Sequence, residues 1–360
     1  MIKLFILCPT LGFAGKVPLF FAFGDWGQDT GTFKKVVKRL KAQPEAPTFV
    51  ALLGDAFYPK GVESVDDPQF NLFKSFSDIS EHFLVAIGNH DYGYESSVPA
   101  MIEYSNLNPK WILPSRYYMK TLQFENGYGG CAFVLDTHVF DSAQLTWLES
   151  SLKKCQDANW YRIIFAHHPL LTVGLYSKGK SVARLRNQIA PLIDKYGVHA
   201  YISGHEHQMQ ALEWNGVHYI VSGATSQMSR RTAYNATEWK NELKFFNDRD
   251  AAFAAFYIDP DLPTSISYSY IRASDGKTMY SSSIPLNGKE GDNSLEGVVE
   301  VNPLPAGMKN EQERVLPVVS AAGTPTGPIS NMDDTNDISS RGLDYHMVSF
   351  AIALLVFVFQ

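Results

Sequence analysis

The sequence predicts an α/β fold in which two mixed β-sheets pack as a sandwich flanked by helices. Three observations predict it. Short continuous apolar runs bounded by Gly and Asp recur along the chain and read as buried strands. Segments with a helical apolar stripe lie between several of them, which is the pattern of a helix-covered sheet. Near the end, "AAFAAFYIDP" and "SISYSYIRAS" read as an antiparallel hairpin, so the sheets are mixed rather than purely parallel.

The expected strands, in order, are "LFFAF" (19–23), "TFVALL" (48–53), "FLVAI" (83–87), "CAFVL" (131–135), "RIIFA" (162–166), "HAYIS" (199–203) and "HYIVS" (218–222). The first expected helix, "TGTFKKVVKRLKAQ", places Phe33, Val36, Val37 and Leu40 on one stripe behind a Thr cap. The second, "DSAQLTWLESSLKKCQ", places Leu145, Leu148 and Leu152 on one face, with Asp141 and Ser142 as cap candidates. The third, "SVARLRNQIAPLIDKYG", ends in Lys195 and a Gly stop. The sequence has no internal repeat.

The chain of 360 residues is 45% hydrophobic and 13% aromatic, enough for one large core or two smaller ones. Its net charge is -6 and it lacks a Lys/Arg-rich run, so a nucleic-acid partner is not expected.

The ends of the chain read differently from the middle. In "MIKLFILCPTLGFAGKVP", Lys3, the run Leu4–Leu7 and the small residues Gly12 and Ala14 fit a secretory signal spanning 1–15. A disordered start or an extra edge strand are the plainer alternatives. Residues 16–288 are the expected folded domain. Pro, Gly, Ser and Asp dominate 289–342, which reads as a flexible stalk. The tail, 343–360, ends in "MVSFAIALLVFVFQ", shorter than the roughly 20 residues of a spanning helix. With Ser339, Ser340 and Gly342 upstream it fits a GPI-attachment signal, against a short inserted anchor or a buried terminal helix. Membrane contact through this tail is therefore expected.

Removal of the signal would leave Cys131 and Cys155, either disulfide-bonded or two ordinary buried thiols. "NAT" makes Asn235 a glycosylation acceptor in a secreted chain.

In open α/β sheets, ligands gather at the carboxyl ends of strands. Each expected strand is followed by a polar cluster, and together these supply Asp25, Asp55, Tyr58, Asn89, His90, His167, His168, His205 and His207. A lone "GD" or "HH" is commonly structural, and a lone strand-end His is more often a hydrogen-bonded core or surface residue. The joint pattern carries the inference. Carboxylate, phenol, amide and imidazole donors without a Cys ligand suit Fe, Zn or Mn.

The order of "GDWG", "GDAFY", "GNHD", "IFAH" (164–167) and "GHEH" resembles the five metal motifs of the purple acid phosphatases, within the metallophosphoesterase superfamily. "DDPQFNLFKSFSD", "YSNLNPKWILPSRYYM" and "APLIDKYGVHAYISGHEHQMQ" are similar to the small, tartrate-resistant type, over roughly residues 19 to 285. The resemblance implies an acid phosphatase that hydrolyses phosphate monoesters with hydroxide held on a dinuclear metal centre. It assigns Fe(III) to Asp25, Asp55, Tyr58 and His207. It assigns a divalent ion, Fe(II), Zn(II) or Mn(II), to Asp55, Asn89, His167 and His205, with Asp55 bridging. His90 would hold phosphate or protonate the leaving group, and Glu206 would point away from the metals. The substrate would be a small phosphate ester or a phosphoprotein. The terminal segments predict a protein of the secretory pathway, at the cell surface or on a vesicle or lysosome-like membrane, with its catalytic domain on the lumenal or extracellular side.

Two positions depart from the pattern. Ala56 stands where the small-type enzymes usually have Asn. Tyr176 stands where relatives have a second histidine, and His168 is its neighbour in the sequence loop, so both are expected beside the metals rather than on them. "VGLYSKG" and "NPKWILP" are also similar to the phosphatase-like membrane anchor of the apicomplexan gliding motor. That likeness implies a second possibility, a membrane-tethered scaffold with weak or no catalysis. A phosphodiesterase of the same superfamily is a third.

Overall fold

The computed structural model describes residues 16–123, 129–229, 238–258, 264–286 and 299–301. The expected signal, Asn235, the terminal tail and the stalk apart from 299–301 lie outside the described residues.

Sheet A runs in the order β14-β13-β12-β1-β2-β3-β4. Its parallel half is β1 (Val17–Phe23), β2 (Phe49–Leu53), β3 (Phe83–Ala86) and the two-residue β4 (Trp111–Ile112). Its antiparallel half is β12 (Ala252–Ile258), β13 (Ser265–Arg272) and β14 (Thr278–Pro285), with β12 beside β1. Sheet B runs β11-β9-β10-β8-β7-β6-β5-β15. At its centre β6 (Gly129–Val134), β7 (Tyr161–Phe165), β8 (Ala200–Ser203) and β10 (Val217–Ser222) are parallel. The antiparallel strands β5 (Tyr118–Gln123), β9 (Met209–Trp214) and β11 (Leu243–Asn247) flank them. The last strand, β15 (Val299–Val301), pairs with β5, so the chain returns to a sheet edge within the segment expected as stalk.

All seven apolar runs are strands, and the expected hairpin is β12–β13, with Phe256 opposite Tyr268. The three expected helices are α1 (Gly31–Lys41), α4 (Ser142–Asp157) and α5 (Lys180–Tyr196). The hydroxyl of Thr30 accepts the Phe33 N–H at 3.1 Å, and Asp141 accepts that of Gln144 at 2.8 Å, so both side-chain caps satisfy first-turn donors. Gly197 closes α5 at φ +59°, a left-handed conformation that Gly adopts at little steric cost. Two further helices, α2 (Phe70–Lys74) and α3 (Ser97–Leu107), carry no such cap and are legible only in the structure.

The main core lies between the sheets. Phe20 of sheet A stacks on Phe49 at 4.8 Å and on Phe256 at 4.1 Å, and it meets Phe165 of sheet B edge-on at 5.3 Å. Burying each such ring is worth roughly 1.5–3 kcal/mol. A second cluster lies under α4 and α5, where Leu148, Leu152, Leu185 and Ile189 cover the outer face of sheet B. There Cys131 of β6 and Cys155 of α4 form a disulfide, which settles the alternative the sequence left open.

This packing brings the carboxyl ends of β1, β2 and β3 against those of β7, β8 and β10. Backbone bonds join them: the Gly24 N–H donates to Ser222 O at 2.8 Å, and the Ser226 N–H donates to Asp25 O at 3.1 Å.

Candidate metal centre

Asp25, which follows β1, and Asp55, which follows β2, are 0% and 1% exposed. Each carboxylate is fixed through one oxygen and presents the other. Asp25 Oδ2 accepts the backbone N–H of His205 at 2.9 Å, and Asp55 Oδ1 accepts that of His90 at 2.9 Å. The free oxygens face two groups of donors.

The first group gathers around the Tyr58 hydroxyl. That oxygen lies 2.9 Å from Asp55 Oδ2, 3.4 Å from Asp25 Oδ1 and 3.3 Å from His207 Nε2. His207 Nε2 is itself 3.4 Å from Asp25 Oδ1. The second group gathers around His167 Nε2, which lies 3.4 Å from Asp55 Oδ2, 3.0 Å from Asn89 Oδ1 and 3.1 Å from His205 Nδ1. Two quartets of N and O donors therefore share one oxygen, Asp55 Oδ2. Bonds of about 2.0–2.2 Å from a common ion put neighbouring donors roughly 3.0–3.5 Å apart, so the spacing fits one cation per quartet.

The local backbone is built for this convergence. Asp25 (φ +57°), Asp55 (φ +52°) and His205 (φ +65°) all occupy the left-handed region without being glycine. Such residues cost roughly 1–3 kcal/mol each and cluster at functional sites. Gly54, at φ +86°, lies where an added Cβ would meet the His167 ring at 2.7 Å, so the strand end admits the imidazole only because a side chain is missing.

The electrostatics are those of a site that balances two buried carboxylates. Burial works against an Asp55 carboxylate, yet the charge of His167 and the His90 N–H hold its pKa below the ordinary range. Burial works against a charged His167, yet Asp55 and Asp25 push it up to about 10. Burial and the charges of Asp55 and Asp25 raise the Tyr58 phenol well above its usual value. In the protein alone, a proton on His167 supplies positive charge and a proton on Tyr58 keeps the phenol neutral; cations would take the place of both protons.

The remaining expected residues are also here. His90 is part-exposed; its Nδ1 lies 2.7 Å from Pro59 O, a carbonyl that can only accept, so Nδ1 carries the proton. His168 is 0% exposed, and its Nδ1 is 2.9 Å from the Thr137 hydroxyl. The rings of His168 and Tyr176 lie 4.4 Å and 4.2 Å from that of His205.

Sequence reading gave no role to Asp91, the last letter of "GNHD". Its Oδ1 accepts the N–H groups of Ala56 and Phe57 at 2.9 and 3.0 Å, and its Oδ2 accepts that of Gly88 at 2.8 Å. It thus ties the Asp55 loop to the Asn89 loop. Burial and repulsion from Asp55 push its carboxyl up to about 8. Its place inside a motif was the available signal; the Gly88 donor is local, but Ala56 and Phe57 lie on backbone that only the fold brings near. Glu206 points away from the donors, as expected, and is taken up by the loop 172–176.

A two-sheet α/β sandwich with this donor set at its strand ends defines a metallophosphoesterase domain. The family model of the calcineurin-like phosphoesterases matches residues 19–209, and the chain belongs to that family. It is 28% identical over 312 residues to tartrate-resistant acid phosphatase type 5 of Oryctolagus cuniculus, covering 75% of this chain and 91% of that one. It is 24% identical over 367 residues to glideosome-associated protein 50 of Plasmodium falciparum, covering 87% and 85%. Among solved structures it is similar to GAP50, the anchor in the inner membrane complex of Plasmodium, with TM-score 0.66, 23% identity and coverage of 76% and 90%.

Proposed function

We propose that this chain is an acid phosphatase that hydrolyses phosphate monoesters at a two-metal centre. The observation that carries the reading is the pair of donor quartets joined at Asp55 Oδ2. Asp25, Asp55, Tyr58 and His207 would hold a ferric ion. Asp55, Asn89, His167 and His205 would hold Fe(II), Zn(II) or Mn(II). When bound, the two ions supply an activated water and Lewis-acid charge for the phosphoryl oxygens.

The protein's own part is positioning and proton movement. Because Nδ1 of His90 donates to Pro59 O, Nε2 is the nitrogen that exchanges a proton or hydrogen-bonds a phosphoryl oxygen. The His90 backbone is anchored on Asp55, so the imidazole is registered to the donor it works beside. Tyr58, with its ring 4.4 Å from that of His90, forms one wall next to it.

The substrate class is a small phosphate ester or a phosphorylated protein side chain. The Cys131–Cys155 bond and the similarity to tartrate-resistant acid phosphatases support a lumenal or extracellular domain in the secretory pathway. The apolar C-terminal residues support membrane attachment.

A membrane-tethered scaffold with weak or no catalysis is the second reading, and the match to glideosome-associated protein 50 over 87% of this chain favours it. Metal analysis of purified protein, together with hydrolysis of a generic phosphate ester from acid to neutral pH, separates the two. Two metals per chain with hydrolysis greatest at acid pH supports the enzyme. Two metals without hydrolysis at any pH supports the scaffold.

A further inference from the structure

A metal-binding imidazole almost always has its second nitrogen hydrogen-bonded, which fixes the ring. His167 follows that rule: its Nδ1 lies 2.8 Å from Leu53 O. His205 does not. Its Nδ1 faces His167, while its Nε2 is buried and has no hydrogen-bond partner among the described residues. The ring lies instead beside two others, His168 at 4.4 Å and Tyr176 at 4.2 Å, the latter inclined by only 33°.

Tyr176 is in turn held by Glu206, the residue between the two histidines of "GHEH". Glu206 is 1% exposed. Its Oε1 accepts the Tyr176 N–H at 2.9 Å and the Thr172 hydroxyl at 2.9 Å, and its Oε2 accepts the Leu175 N–H at 3.1 Å. Gly174 lies against the same carboxyl, where an added Cβ would sit 2.4 Å from its carbon. Gln210 adds a fourth tie, accepting the Val173 N–H at 2.9 Å.

We propose that Glu206 and Tyr176 form a positioning relay for His205: the carboxylate grips the 172–176 backbone, and the phenol ring it places there sets the imidazole plane that a hydrogen bond sets for His167. The relay rests on the proposed role of His205 as a ligand of the divalent ion. It predicts an asymmetric defect, because the distances that define Asp25, Tyr58 and His207, the three donors belonging to the other quartet alone, involve no residue of the 172–176 loop. In the proposed relay the setting of the imidazole plane falls to the Tyr176 ring.

The test is equilibrium metal analysis of the full-length protein against a competing chelator, with folding followed by circular dichroism and thermal melting. Glu206→Ala and Tyr176→Ala should each weaken retention of the divalent ion by about 10–100-fold, leave ferric content and colour in place, and keep the melting transition cooperative. Tyr176→Phe should retain wild-type affinity, and Glu206→Gln, which keeps one acceptor oxygen, should fall between. Unchanged divalent retention in Tyr176→Ala overturns the relay, as does equal loss of both ions. Tyr176→Ala decides the matter even if Glu206→Ala does not fold, since it leaves the grip intact. Wild-type protein that holds two metals without hydrolysing phosphate esters overturns the enzymatic reading and leaves the relay standing. Wild-type protein that holds no metal overturns both.

Discussion

The Tyr58 hydroxyl lies 3.3 Å from His207 Nε2, although 149 residues separate them in the chain. Tyr58 follows a strand of sheet A and His207 a strand of sheet B, so this contact exists only when the two sheets are packed in register. The donor groups are thus a reporter of the sandwich itself.

That contact makes Tyr58 the residue to test first. If its phenolate joins a ferric ion, oxidised wild-type protein is purple to pink. Tyr58→Phe should bleach the visible band while the far-ultraviolet circular dichroism is unchanged, because a ring of the same shape still fills the site. A colourless wild-type protein that contains iron would count against the assignment.

His90 is anchored to the site through its backbone N–H on Asp55, and in the proposed mechanism its ring meets the substrate. His90→Ala should lower kcat by about 10²–10⁴-fold, the usual contribution of a general acid–base group, with metal content unchanged. Loss of metal in this variant would show that the ring matters for assembly instead. Tyr176→His adds an imidazole beside His205, and it should raise kcat at acid pH if a proton donor is limiting. His168 lies deeper, 0% exposed with its Nδ1 engaged by Thr137; no gain in Tyr176→His would point to it as the group already serving.

A stability effect should accompany acid. His199 Nδ1 accepts the Arg162 N–H at 3.2 Å, which requires the unprotonated nitrogen. Burial and the Arg162 charge push its pKa down to about 4. A depressed histidine contributes stability that is complete above its unfolded pKa of about 6.5 and is lost as pH falls toward the folded value. Between neutral pH and about pH 5 the loss should be on the order of 1–2 kcal/mol. His199→Gln, which can still accept the N–H, should flatten this part of the urea-midpoint profile. Parallel profiles for the two proteins would refute the assignment.

The tail should tether the domain. The lipid-anchor signal expected in 343–360 is the reading to test. A chain ending after Val301 should be secreted in soluble, fully active form. A cut before Val299 should be less soluble, because it removes β15 and uncovers the β5 edge. Full-length protein should leave membranes on treatment with a phosphatidylinositol-specific lipase. Recovery of the intact terminal peptide from the membrane fraction would rule that anchor out.

The strands that carry the site were readable because burial on both faces leaves a continuous apolar run, as in "TFVALL" and "RIIFA". Strands such as β11, whose residues are mostly half-exposed, leave no such run and were found only in the structure. The short β4 and the uncapped α2 and α3 were hidden for related reasons: too few residues, or no side-chain cap to mark the start.

The sequence by itself determined the donor chemistry. Asp, Tyr, Asn and His at the ends of apolar runs state which atoms are available and near which strand ends, because a strand's direction and its flanking turn are local properties. The family resemblance already implied that Asp55 is shared and that Glu206 points away; the tertiary structure alone decided through which atoms. That Asp55 Oδ2 belongs to both quartets, that His205 N–H reaches Asp25 across 180 residues, and that Glu206 grips the loop beneath Tyr176 are consequences of sheet packing. So is the Cys131–Cys155 bond, which depends on α4 lying over β6. Hydrogen bonds and ring contacts act over a few ångströms, and only the packed core brings segments so distant in sequence within that range.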